Sequence, residues 1–241
     1  MLSVSGDNIG NTFAGVGAGS ATTPDPDGAS GNYNSFFGRQ AGVTNNNGFS
    51  NSFFGYRAGV SNTTGIRNTV IGAFADLGSN NLDNAMAIGA NAQVTQSNSL
   101  VLGGINGVNN AIADTNVGIG TTAPVNVLHL NGNHNDFALT FTNQSNTAGR
   151  RGYRIAFDSD RLTFQSATDS GAFAANQMAI DQGNGNVGIG TTTPRARLQV
   201  AGGNIYVTNP NGVIISSPNG TCWLIGVSNA GALTTIPTPC P

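Results

Sequence analysis

The sequence predicts an all-β chain whose first half is a stack of short repeats, and three observations predict it. The first is a block written nearly twice, NSFFGRQAGV at 34–43 and NSFFGYRAGV at 51–60. A catalytic site is built once and a structural unit many times, so this duplication marks architecture. The second is composition. Gly supplies 35 of 241 residues and charged residues only 8%, against about 25% in ordinary globular domains. Every basic residue is Arg and every acidic one Asp, so the helix-forming Lys and Glu are missing while Gly, Asn, Thr and Ser abound. The third is that apolar residues alternate within short segments bounded by Gly and Asn, the period of a strand.

The same numbers exclude several classes. A net charge of −2 offers no basic footprint for nucleic acid. A hydrophobic share of 38%, recurring in register, is not the pattern of a disordered chain. No apolar run approaches the ~20 residues that cross a bilayer, so no membrane insertion is expected. The start, MLSVSGDNIG, has neither a basic nor an apolar signal region. Export by another route, or a processed chain, is the expectation.

The repeats are justified by a landmark glycine at Gly15, Gly38, Gly55, Gly72, Gly89, Gly103 and Gly120, spaced 23, 17, 17, 17, 14 and 17. The blocks before it read NTFAG, NSFFG, NSFFG, NTVIG, AMAIG, SLVLG and NVGIG. Three residues later come Ala18, Ala41, Ala58, Ala75 and Ala92, and five later Val43, Val60, Leu77 and Val94. Each repeat reads as two short strands joined by Gly/Asn turns, its side chains alternating between two faces. The expected core of the roll is Phe37, Phe54, Ile71, Met86, Ile88 and Leu102. The expected second stripe is Phe36, Phe53, Val70, Ala87 and Val101. A slender stack has one interior, so a second apolar stripe needs a partner. Packing of copies around a symmetry axis, best a trimer, satisfies it. Asn11, Asn34, Asn51, Asn68 and Asn116 recur at the turns, where stacking places amides about 4.8 Å apart in hydrogen-bonded ladders. The insertion TTPDPDGASGN at 22–32 breaks any strand and reads as a surface loop.

Residues 121–202 form the next element. DFALTFTN, GYRIAFDSDRLTFQSA and NQMAIDQGNGN read as strands. Tyr153, Ile155 and Phe157 share one face, Arg154 and Ala156 the other, with Ser159–Asp160–Arg161 as a hairpin turn. The last element, 203–241, carries the turn signals NPNG and SPNG. Cys222 and Cys240, eighteen apart, are expected to close a disulfide worth about 3 kcal/mol that staples a tip covering the open strand edges.

His129 and His134 lack companion ligands for zinc; Asp25 and Asp27 read as a Pro-Asp-Gly turn before a calcium loop. Asp158 and Asp160 are the minimum pair for glycan hydrolysis but read as hairpin-turn residues. GNGNVGIG resembles a phosphate loop only in composition, since TTTP rather than a helix follows it. No catalytic residue, metal or cofactor is expected. Arg150, Arg151, Arg154 and Arg161 cluster with Tyr153 as a candidate surface for an acidic glycan, weighed against Arg residues solvated or paired with Asp158, Asp160 and Asp169. Tyr33 and Tyr56 are candidates either to stack on sugars or to shield the turns.

Residues 84–103, NAMAIGANAQVTQSNSLVLG, resemble the head repeats of trimeric autotransporter adhesins. That resemblance spans roughly 8–120 and implies a left-handed parallel β-roll, three rolls about one axis. NVGIGTTAP at 116–124 recurs as NVGIGTTTP at 186–194, a pair similar to modules of bacteriophage tail fibres and related bacterial surface fibres. It implies a small β-rich knob between shaft segments. The expected protein is then a homotrimeric all-β fibre with a roll shaft at 1–120, a knob at 121–202 and a tip at 203–241. It would be structural and adhesive rather than enzymatic, meeting cell-surface glycan with three copies. It would stand outside the cell on a phage or phage-like tail. A bacterial surface adhesin, or an extracellular filament subunit polymerising end to end, is the rival, and a β-helical glycan-degrading enzyme the minor one. The missing signal peptide favours the phage fibre and the disulfide favours the bacterial surface.

Overall fold

A computed structural model describes the chain except residues 1, 5–9, 27, 29, 133–136, 144–151, 159, 169, 171 and 209–211, with the backbone alone at 2–4 and 137. Among the described residues there are strands and turns and no helix. The chain divides into two compact units, 1–131 and 132–241.

The repeats of the first unit are built from short strands, three residues long on one side and two residues long where a second side pairs. They are β1 (Leu2–Val4), β2 (Thr12–Ala14), β3 (Ser35–Phe37), β4 (Ser52–Phe54), β5 (Thr69–Ile71), β6 (Asp76–Leu77), β7 (Met86–Ile88), β8 (Gln93–Val94) and β9 (Leu100–Leu102). β2, β3, β4, β5, β7 and β9 form one parallel sheet in that order, with β1 antiparallel on the β2 edge. Repeat positions pair in register, Phe36 with Phe53, Phe53 with Val70 and Val70 with Ala87. β6 and β8 pair in parallel on a second side.

The interior lies between these sides, and it exchanges the two stripes expected from the sequence. Phe36, Phe53, Val70 and Ala87 are 0% exposed within the single chain, and Val101 packs against them. The expected axis stripe is therefore the core, and it cannot be a contact between copies. Phe37, Phe54, Ile71 and Leu102 point outward, 36–47% exposed, and Met86 and Ile88 are half-buried. The middle residue of a three-residue strand faces the other side of its own repeat, while its neighbours face away. Facing the core stripe is the column Ala41, Ala58, Ala75 and Ala92, all fully buried.

Core volume is traded between columns. In the first repeats Phe36 and Phe53 fill the interior, their rings 4.7 Å apart. A Cβ on Gly42 or Gly59 would lie 2.5 or 2.6 Å from the Phe36 or Phe53 ring, so only glycine leaves room for the phenyl group. In the next repeats the core residue shrinks to Val70 and Ala87, and Leu77 and Val94 turn inward to replace the lost volume. Val43 and Val60, their counterparts, remain only half-buried. Full burial of a Phe contributes roughly 2–3 kcal/mol.

An asparagine ladder closes one corner. Oδ1 of Asn11, Asn34, Asn51 and Asn68 accepts the backbone N–H of Asn34, Asn51, Asn68 and Ala85 at 2.8–3.0 Å. Their Nδ2 groups donate to the carbonyls of Gly31, Gly48, Gly65 and Leu82 at 2.8–2.9 Å. Each buried amide thus pairs both its donor and its acceptor with backbone, as buried polar groups require. Asn116 stands outside this ladder: its Nδ2 donates to Pro124 O at 3.2 Å. Its block NVGIG leaves the stack as well, becoming β10 (Val117–Ile119) and pairing in parallel with β11 (Leu128–Leu130).

The second unit contains β12 (Phe137–Thr142), β13 (Gly152–Asp158), β14 (Arg161–Ala167), β15 (Phe173–Asp181), β16 (Val187–Ile189) and β17 (Leu198–Val200), a sheet in sequential order. All pairs are antiparallel but the last, β16 with β17. β18 (Val213–Ser216), β19 (Cys222–Val227) and β20 (Leu233–Thr238) form a separate antiparallel sheet. The Cys222–Cys240 disulfide ties the start of β19 to the chain beyond β20, Cα to Cα 5.3 Å. The turn SPNG closes with Gly220 N–H on Ser217 O at 2.9 Å; in NPNG, residues 209–211 lie outside the described residues.

Candidate functional site

The outward face of the parallel sheet carries an apolar stripe. Phe37 and Phe54 stack with centroids 5.0 Å apart and planes within 4°, followed in register by Ile71, Ile88 and Leu102. A parallel stack spends ring faces on neighbouring rings and shows edges to solvent. Sugars bind aromatic faces, so the stripe offers apolar packing rather than a sugar platform. Beside it Arg39 lies over the Tyr56 ring at 5.8 Å and Tyr56 meets Phe74 edge-on. Tyr56 therefore has its ring engaged, and Tyr33 is the freer aromatic, 57% exposed.

The expected glycan surface does not form one surface. Tyr153 is 66% exposed on one face of the six-stranded sheet. Arg154 is on the opposite face, 9% exposed, directly across from Gln165. Arg161 shares the Arg154 face and stands across from Asp158 and Asp181. The reason is parity: neighbours in a strand point to opposite faces. Arg150, Arg151 and Asp169 lie outside the described residues.

The remaining polar candidates are occupied by structure. Asp181 Oδ1 accepts Gly183 N–H at 2.9 Å and Asn184 N–H at 3.3 Å. The turn amides that a phosphate would need are thus directed at a carboxylate. His129 Nδ1 accepts Val125 N–H at 3.4 Å; His134 and Asp27 lie outside the described residues. Among the described residues no three His, Cys, Asp or Glu side chains gather as a metal group. Sequence reasoning missed two polar pairs. Asp76, buried, accepts the Ser61 N–H at 3.0 Å and hydroxyl at 2.7 Å, and Arg67 forks onto Asp83. Residues of a pair 15 or 16 apart become neighbours only once the repeat spacing is folded.

The two NVGIGTT motifs fold alike. Asn116 and Asn186 donate Nδ2 to Pro124 O and Pro194 O, both at 3.2 Å. Val117 and Val187 donate N–H to Val127 O and Arg197 O at 2.9 and 2.8 Å. Each motif is the same clip joining two parallel strands, so its recurrence in the sequence is structural. Among the described residues no helix is long and apolar enough to cross a membrane. No protein-family model matches the chain, and no curated protein matches it.

Proposed function

We propose that the chain is a structural and adhesive subunit that assembles as a homotrimeric fibre outside the cell. In this reading the stacked repeats are a left-handed parallel β-roll shaft, followed by the knob and a disulfide-stapled tip. The fibre attaches a phage or phage-like particle to a cell envelope, three copies meeting surface glycan and gaining avidity from their number. The observation that carries the reading is the outward stripe Phe37, Phe54, Ile71, Ile88 and Leu102. A continuous apolar ladder in register invites a partner with the same spacing, and a parallel copy has it. The stripe at the axis is thus the outer one, not Phe36 and Phe53.

The Cys222–Cys240 disulfide favours a second reading, a bacterial surface adhesin or extracellular filament subunit, since disulfides persist in oxidising compartments. A glycan array probed with the full chain tests the adhesive role. Binding that falls at least tenfold in Phe54→Arg, which removes copies but not the ligand surface, supports it. No binding to glycans or to whole bacterial cells counts against it.

A further inference from the structure

The six-stranded sheet is inside out for a sheet standing alone. An antiparallel sheet with one face in water puts its polar residues there. Here the charged side chains Arg154, Asp158, Arg161 and Asp181 fall on one face by register, the face on which Arg154, Thr163 and Gln165 are buried. The other face is apolar and exposed. Phe141, Tyr153, Ile155, Phe164, Ile189 and Leu198 share it by register through β12 to β17, with exposures from 37% to 66%.

We propose that this apolar face of β12–β17 is a second contact between copies of the chain, so that residues 137–200 hold the assembly together independently of the repeats. The proposal rests on the homotrimer reading and locates a partner for it. Two features name a copy of this chain as the occupant. The first is charge. The face bears none of the four charged strand residues, and depletion of charge at a patch centre is the compositional mark of a protein interface. A glycan or an acidic partner would need hydrogen-bonding or cationic groups there, and Arg154 and Arg161 lie on the reverse. Another copy brings the same neutral apolar face. The second is area. Aromatic side chains offer about 150–250 Å² each. Leu139 and Phe157, 44% and 48% exposed, share the face by register; the four aromatic and four aliphatic side chains at roughly half exposure present on the order of 700 Å², close to the ~800 Å² that each partner contributes to a standard stable interface.

The experiment uses the full chain with Tyr153→Arg and Leu198→Arg together. Both residues are exposed in the single chain, 66% and 60%, so the substitutions add charge to the contact without opening the chain's own core. Light scattering over a dilution series, with far-UV circular dichroism to check the strands, is run beside wild type and Phe54→Arg. The expected result is unchanged dichroism and dissociation at a concentration at least tenfold higher than wild type. If the double variant keeps the wild-type mass while Phe54→Arg dissociates, this proposal is overturned and the fibre reading stands. Dissociation of the double variant with Phe54→Arg unaffected supports this contact and removes the repeat stripe from the assembly. A wild-type mass of two chains refutes the trimer on which this proposal rests. A wild-type monomer overturns both.

Discussion

Replacing Asn51 tests the corner ladder most sharply. Its Oδ1 accepts the Asn68 N–H at 2.9 Å and its Nδ2 donates to Gly65 O at 2.9 Å, with Asn51 and Asn68 at 0% exposure and Gly65 buried. In Asn51→Ala the Asn68 N–H loses its partner in a site closed to water, while Gly65 O keeps the Asn62 amide at 3.2 Å. One orphaned buried donor costs about 1–3 kcal/mol. With the lost contacts of the amide the expected cost is about 2–3 kcal/mol, a fall in Tm of roughly 5–10 °C. Asn51→Asp should cost more at neutral pH, because a carboxylate oxygen then faces the Gly65 carbonyl and a charge is buried. Burial raises the pKa of that carboxyl in the folded state. Folding then takes up a proton, so the deficit of the Asp variant shrinks as pH falls towards the unfolded value of about 3.9, where the protonated acid can donate to Gly65. The assay is thermal unfolding from pH 4 to 8, with the exposed Asn81→Ala as a control. An Asn51→Ala cost under about 0.5 kcal/mol, or an Asp variant no worse than Ala at pH 7, refutes the ladder as a stabilising device.

Gly59→Ala places a Cβ 2.6 Å from the buried Phe53 ring at φ +65°, and thermal unfolding should show a loss of about 2 kcal/mol or more. Reduction of Cys222–Cys240 should lower the stability of the β18–β20 sheet by about 3 kcal/mol and leave the native mass unchanged; a mass that changes would assign the cysteines to links between chains. Arg67→Ala breaks the fork onto Asp83, yet both side chains are exposed, 57% and 37%. Denaturant unfolding should therefore show less than about 1 kcal/mol of change.

Much of the fold was legible because repeats carry their own register. The spacing of the NSFFG blocks located the strands, the Asn column located a ladder, and Cys222 and Cys240 located the staple. Which face is inside was not legible from alternation, because NSFFG offers a phenyl ring to both sides. The deciding signal lay elsewhere, in the small residues Ala41, Gly42, Ala58 and Gly59, which leave space for Phe36 and Phe53. The inward turn of Leu77 and Val94 was hidden for a related reason. It follows from core volume shared between columns, and a column read alone shows only valine-like residues. Asn116 matched the ladder by spelling but sits in the NVGIGTT clip, where its partner is Pro124. The surface of Arg154, Arg161 and Tyr153 failed on parity, since nearness in sequence is not a shared face in a strand.

In the proposed fibre, further copies cover the apolar faces left outside the single chain. The mass of the full chain in solution, by light scattering behind a sizing column, tests it most directly. Three chains of 24.4 kDa, about 73 kDa at every concentration down to the micromolar range, is the predicted result. A mass of 24.4 kDa throughout would contradict it, leaving Phe37, Phe54 and the sheet face of Tyr153 and Phe164 exposed to water.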